Sequence, residues 1–196
     1  PTMYRTLTTV IFLFLMSLNL TSAQTNPKIG QALSDGQHVL LMRHAYAPGI
    51  GDPPNYQLNN CQTQRNLNTT GKKQARIIGQ WLRSNGVIDA KVFSSPWCRC
   101  LETAQLLNFG PVTMEPLIAS FFDNPEKATS QNKLLQRWLQ STLSKRPNNP
   151  IILVTHHVNI QEYMGHAIGS GDMVLVQVAP DGSPASYQII PSPTYE

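Results

Sequence analysis

Three short stretches set a cation beside a strand end or a helix start: Leu41-Met42-Arg43-His44-Ala45, Ser94-Ser95-Pro96-Trp97-Cys98-Arg99-Cys100, and Leu153-Val154-Thr155-His156-His157. A phosphate dianion needs several fixed donors, and a planar guanidinium meets its oxygens two at a time. Arg43 and Arg99 converging on one crevice would therefore form a phosphate clamp. His44 and His156 beside them would supply a nucleophile and a partner. Uncatalysed phosphate monoester hydrolysis is among the slowest reactions, and a covalent phosphohistidine divides it into two easier displacements that require neither metal nor cofactor. A nucleophilic His44 must be unprotonated at the attacking nitrogen, and flanking guanidinium groups favour that state. His156-His157 is not expected to be a metal pair: neighbours on a strand point to opposite faces, and no Cys or carboxylate set is spaced around them. His38 and His166 carry no comparable surroundings and read as structural or surface residues.

These side chains need a frame that brings three distant blocks together. His38 to Met42, Lys91 to Ser94, Ile151 to Thr155 and Met173 to Val178 are short β-branched or apolar runs that read as strands, several apolar throughout as in a sheet covered on both faces. Amphipathic segments alternate with them, which predicts α/β layering. Asn68 can cap a helix with an inward stripe of Ala75, Ile78, Trp81 and Leu82 that ends near Asn85-Gly86. A second helix is expected from about Ser95-Pro96, and a third after Asn124-Pro125, carrying Leu134, Leu135, Trp138, Leu139 and Leu143. A fourth is expected from about Asn159 to Ala167, and Asp181-Gly182 reads as a hairpin turn. The stretch from Ala45 to Asn66 has glycines, prolines and amides but no periodicity. It is expected to be a loop leaving the carboxyl end of the first strand, where open α/β sheets bind ligands, and so to form part of the pocket. Asn68-Thr69-Thr70 also matches a glycosylation acceptor, but the helix cap explains it better.

With 196 residues, 41% hydrophobic and 13% charged, the chain suits one globular domain with a sizeable core. Met3-Tyr4-Arg5, the apolar Val10 to Leu18 and Thr21-Ser22-Ala23 have the order of a secretory signal peptide, so residues 1–23 are expected to be removed and 24–196 to form the domain. The apolar run is shorter than the roughly 20 residues of a bilayer span, so no stable membrane span is expected after cleavage. The formal charge of +4 falls to about +3 without Arg5, too small and scattered an excess for nucleic acid. Export places the chain in the periplasm or outside the cell, where Cys61 can pair with Cys98 or Cys100 and leave one thiol free.

Arg43-His44-Ala45 resembles the Arg-His-Gly signature of the histidine phosphatase, or phosphoglycerate mutase-like, superfamily. Arg65-Asn66-Leu67-Asn68-Thr69-Thr70-Gly71 with Gln74-Ala75 is similar to the family's Leu-Thr-x-x-Gly helix start. Ser94-Ser95 through Arg99 to Thr103-Ala104 resembles its second-arginine block, and Val154-Thr155-His156 its second-histidine strand. The resemblance implies a three-layer α/β sandwich with a mostly parallel central sheet flanked by helices. It also implies a metal-independent phosphomonoester hydrolase in which His44 is phosphorylated, Arg43 and Arg99 bind the phosphoryl oxygens, His156 hydrogen-bonds the group, and Arg65 reaches the pocket. Ala45 replaces the usual glycine, and His157 stands where the acid phosphatase branch has its aspartate donor. The leaving-group acid is then expected to be Asp123, with Glu115 and His157 as the other candidates. The substrate implied is a phosphorylated small molecule, a cell-envelope sugar phosphate being one class. The rival reading is a non-catalytic phosphate-binding module of the same fold, and an open pocket would admit a phosphoprotein.

Overall fold

The computed structural model describes residues 28–193, so the expected leader at 1–23 lies outside the described residues. In chain order the elements are α1 (Lys28–Leu33), β1 (His38–Arg43), α2 (Thr69–Ser84), β2 (Lys91–Ser94), α3 (Cys98–Leu106) and β3 (Val112–Met114). After them come α4 (Ala128–Ser144), β4 (Ile151–Thr155), α5 (His157–Met164), β5 (Met173–Val178) and β6 (Pro184–Ile190). The strands form one sheet in the order β3-β2-β4-β1-β5-β6. The first four run parallel, while β5 is antiparallel to β1 and β6 to β5.

The runs read as strands are largely apolar because both faces of the sheet are covered. Alternate residues of β1 serve the two sides: Leu40 and Met42 pack with Ile29 and Leu33 of α1, Ile78 and Leu82 of α2, and Ala104 of α3. Val39 and Leu41 pack with Leu135 and Leu139 of α4 and Ile160 and Tyr163 of α5. Helices α1 to α3 thus cover one face and α4 and α5 the other, which makes the expected three layers.

Local signals place the helices. The Asn68 side chain accepts from the Gly71 amide at 2.9 Å, a cap in the role expected of it. A Cβ at Gly71 would overlap the Tyr46 carbonyl, so only glycine lets α2 pass so close to the chain leaving β1. Gly86, at φ 87°, closes α2 in the left-handed conformation.

Several expectations shift. Helix α3 starts at Cys98, after Trp97, which is extended (φ −67°, ψ 136°) and stands at the N-cap. Helix α5 begins at His157 and stops at Gly165, φ 85°, so it spans His157–Met164 instead of Asn159 to Ala167. Leu134 is not an inward residue of α4: it is 45% exposed, while Leu135 and Leu139 are buried. Strand β3 and helix α1 carry too few residues for a periodicity and were not expected. The Asp181-Gly182 turn does join a hairpin, β5 to β6, with the Gly182 amide donating to Ala179. Among the described residues no helix is long and apolar enough to cross a membrane.

Candidate active site

Register brings the three blocks together. In the sheet Arg43 pairs with Thr155 and Ser94 with Val154, so His44 and His156 leave the carboxyl edge at one level and Ser95 within one residue of it. The His44 amide donates to the Thr155 carbonyl at 3.0 Å and the Ser95 amide to Val154 at 3.0 Å, extending the ladder by one residue beyond each strand. A cavity of about 240 Å³ opens there, lined by Arg43, His44, Asp52, Arg65, Arg99, Ser120, Asp123, His156 and His157, with Gly49, Ile50, Gly51 and Phe122 around its mouth.

His44 is 1% exposed. Its Nδ1 lies 2.8 Å from the Ala45 carbonyl, which can only accept, so Nδ1 carries the proton. Nε2 is then the bare nitrogen, and it accepts from Arg99 Nε at 3.3 Å. Burial first, and then the charges of Arg99, Arg43 and Arg65, hold the imidazole well below its ordinary pKa, although the bond to Ala45 opposes them. His156, 2% exposed, is also held well below its ordinary value by burial, His44 and Arg99. Its Nε2 faces Ser95 Oγ at 2.8 Å, and its ring lies edge-on to that of His44 at 5.6 Å.

The arginines are fixed by different means. Arg43 donates through Nη1 to the Ile168 carbonyl at 3.0 Å, and its buried Nε has no hydrogen-bond partner. Arg65 donates to the carbonyls of Gly51 and Ala47, drawing the loop after β1 around itself. Arg99 Nη1 lies 2.9 and 3.1 Å from the two carboxylate oxygens of Asp52. Asp52 also accepts from Trp97 Nε1 at 3.0 Å and from the Arg65 amide at 2.9 Å. With side chains only 4% and 3% exposed, Arg99 and Asp52 form a buried pair in which the carboxylate offsets much of the cost of burying the guanidinium.

Asp52 was not singled out in the sequence, where Gly51-Asp52-Pro53-Pro54 reads as a turn. It is the sole carboxylate between Ala45 and Asn66, and a pocket built from three arginines needs a counter-charge; that requirement was the available signal. The loop is fastened a second time by the Cys61–Cys98 disulfide, which joins it to the residue before Arg99 and leaves Cys100 as a buried free thiol. Of the two pairings open in the sequence, this is the one formed.

Of the three acid candidates, two line the cavity. Asp123 is exposed at the mouth and accepts from the Tyr56 hydroxyl at 3.3 Å. His157 is half-buried, and burial followed by the charge of Arg43 lowers its pKa. Glu115 does not belong with them: its carboxylate caps the amide of Leu117 at 3.0 Å, and it does not line the cavity. The expectation that His156 and His157 point to opposite faces also fails. The strand ends at Thr155, His156 is the cap of α5 and His157 its first residue, so the turn aims both at the cavity. Among the described residues no group of three or more His, Cys, Asp or Glu is placed to hold a metal ion. His38 pairs with Asp35 at the surface, and His166 lies against Tyr187.

A family profile for the histidine phosphatase superfamily (branch 1) matches residues 39–119, which include Arg43, His44, Arg65 and Arg99. Among curated protein sequences none matches this chain. Among solved structures, the protein histidine phosphatase SixA complexed with tungstate is similar over 79% of this chain and 97% of its own, at 16% identity and a TM-score of 0.60. A mycobacterial glucosyl-3-phosphoglycerate phosphatase in complex with VO3 covers 81% of this chain and 100% of its own, at 13% identity and 0.57. A phosphoserine phosphatase from Entamoeba histolytica bound to 3-phosphoglyceric acid covers 76% and 95%, at 17% identity and 0.55. At such identities the likeness is one of fold. Profile match and fold agree: over residues 39–119 the chain is similar to the histidine phosphatase superfamily, and its fold is that of solved structures of such phosphatases.

Proposed function

We propose that this chain hydrolyses phosphomonoesters without a metal, through a phosphohistidine formed at Nε2 of His44. The observation that carries the reading is the state of His44: buried, its proton held on Nδ1 by Ala45, and its bare Nε2 facing a cavity that Arg43, Arg65 and Arg99 also line. A nitrogen kept unprotonated among guanidinium groups has its electron pair available where an anionic group would be held.

In this reading the phosphoryl oxygens are met by Arg43, whose Nε lacks a partner, by Arg99 and Arg65, and by His156. His44 Nε2 attacks phosphorus, the bond to the ester oxygen breaks, and that oxygen takes a proton from Asp123 at the mouth. A water then attacks the phosphohistidine, giving its proton to the Asp123 carboxylate, and inorganic phosphate leaves with His44 restored. The pocket donors are preorganised for the charge that spreads over the transferring group. His157 is the weaker acid candidate, because its burial and then the charge of Arg43 favour the neutral ring.

A cavity of 240 Å³ suits a phosphoryl group with part of its leaving group, so the substrate class is a phosphorylated small molecule. The mycobacterial neighbour, a phosphatase of a glucosyl phosphoglycerate, supports including sugar phosphates, those of the cell envelope among them. A periplasmic or secreted location rests on the leader expected at residues 1–23 and is consistent with the Cys61–Cys98 disulfide.

The test is phosphate release by residues 24–196 from a panel of monoesters in a metal chelator, with His44→Ala in parallel. Chelator-resistant release that falls on the order of 10⁶-fold in the variant is expected. Retention of activity by His44→Ala would overturn the covalent mechanism, and no release from any ester would leave the phosphate-binding module as the better reading.

A further inference from the structure

We propose that Ser95 is a positioning residue that fixes the tautomer of His156, so that the ring presents Nδ1–H, and not a lone pair, to the group in the cavity. The inference rests on the phosphatase reading for its use but on hydrogen-bond bookkeeping for its content.

Ser95 is fully buried, so its hydroxyl must find an acceptor inside the protein. The oxygen already receives the Trp97 amide, at 3.5 Å, and the nearest acceptor for its proton is His156 Nε2, at 2.8 Å. Imidazole nitrogen is a good acceptor. The other atom in reach of this network, Cys100 Sγ, lies 3.4 Å from the same Nε2 and 3.6 Å from the Thr155 carbonyl. Sulfur accepts weakly, and burial pushes this thiol up to about 12, so it stays an uncharged S–H whose proton has Thr155 or Nε2 to go to. Every hydrogen in the cluster then has a good acceptor if Nε2 accepts, whereas if Nε2 donates the Ser95 hydroxyl is left with only the weak acceptor Cys100 Sγ.

A neutral imidazole with Nε2 bare carries its proton on Nδ1. No protein atom among the described residues bonds that nitrogen, and the ring lines the cavity. His44 needs the opposite outcome at the face it turns to the cavity, and receives it from a carbonyl: Ala45 holds the proton on Nδ1 and leaves Nε2 bare. One histidine is set by an acceptor to offer an electron pair, and its neighbour by a donor to offer a proton.

The tautomer is read directly from the ¹⁵N shifts of the ring, since protonated and bare nitrogens resonate far apart. The experiment uses ¹⁵N-histidine-labelled protein near pH 7, with His156 assigned by its loss in His156→Gln, and with inorganic phosphate added as the probe. In the unsubstituted protein Nε2 is expected bare and Nδ1 protonated, with the Nδ1–H signal moving when phosphate binds. Ser95→Ala is expected to shift the ring toward the Nε2–H tautomer and to lower kcat/KM about tenfold, whereas Cys100→Ala leaves the tautomer unchanged. A protonated Nε2 in the unsubstituted protein would overturn the inference whatever the kinetics. An unaltered ring in folded Ser95→Ala would do the same, and an altered ring in Cys100→Ala would move the role from Ser95 to the thiol. None of these readings needs turnover, so they stand apart from the His44→Ala test, which decides the phosphatase reading alone.

Discussion

The floor of the cavity and its outer wall are built in different ways. His44, Ser95 and His156 sit one residue beyond parallel strands, held by backbone bonds that continue the sheet, and Arg99 stands in the first turn of a helix packed on that sheet. The wall, residues 45–66 with 120–124, has no ladder to hold it. It depends on individual side chains: Asp52 joined to Arg99, Trp97 and the Arg65 amide, Arg65 joined to loop carbonyls, and the Cys61–Cys98 disulfide. In the proposed reaction the floor, joined by Arg65 from the wall, meets the phosphoryl group, and it follows from the topology. The rest of the wall would then meet the leaving group, with Asp123, Ile50 at 90% exposed and Phe122 at 42% exposed around the mouth, and it follows from particular residues. Phosphoryl chemistry and substrate preference should therefore be separable by mutation.

The sharpest way to separate them is Asp123→Asn. Removing a general acid at the wall should lower turnover of alkyl phosphates by about 10²- to 10⁴-fold and leave a nitrophenyl phosphate, whose leaving group needs little protonation, nearly unaffected. Equal losses on both substrates would place Asp123 in the floor's work of holding the phosphoryl group and erase the distinction. Asp52→Ala should cost about 3–5 kcal/mol of stability, because it leaves Arg99 buried without its partner, and urea unfolding of the two proteins measures it. A loss below 1 kcal/mol would mean that the wall does not hold the arginine at all. Opening the disulfide, by Cys61→Ser with Cys98→Ser, releases a closure across 37 residues and should cost about 3–4 kcal/mol. Since Arg99 follows Cys98 directly, KM is expected to rise more than kcat falls, and a kcat effect alone would argue that the disulfide supports the floor and not the wall.

The same division governs what could be read in the sequence. Strands β1, β2, β4 and β5 were legible because a strand covered on both faces is a short run rich in apolar or β-branched residues, and the residues just after three of them were legible because ligand sites gather at that edge. Asn68 and Gly86 were legible because caps are local chemistry. Asp52 was not, because its importance lies in a partner 47 residues away, and nothing in the local Gly-Asp-Pro-Pro pattern distinguishes a buried ion pair from a turn. Glu115 was misplaced for a related reason. Its carboxylate is engaged locally in capping the turn at Pro116–Ile118, a role that residue type alone does not reveal. The aim of His157 depended on whether the chain was still a strand or already a helix at that residue, a boundary that sequence patterns set only to within a few residues.

The last effect expected concerns acid. His44 and His156 are both held neutral well below the pH at which an unfolded histidine, with a pKa of about 6.5, takes its proton. Below that pH the unfolded chain binds protons that the folded chain refuses, so stability falls as pH falls, by up to about 1.4 kcal/mol per pH unit for each histidine, until the folded pKa values are reached. Above it both states are neutral and the two rings contribute no slope. His44, the nucleophile of the proposed reaction, by contrast remains unprotonated across the window in which stability is being lost, so kcat/KM on a nitrophenyl phosphate should hold steady there while the melting temperature drops. Inorganic phosphate should make the drop shallower, because an anion beside the imidazoles offsets the arginines that help keep them neutral. Melting curves from pH 7.5 to 5, with and without phosphate, measure both effects. A melting temperature that stays level in the absence of phosphate would show that the floor does not hold its histidines neutral, and would remove the physical basis for treating it as the fixed half of the site.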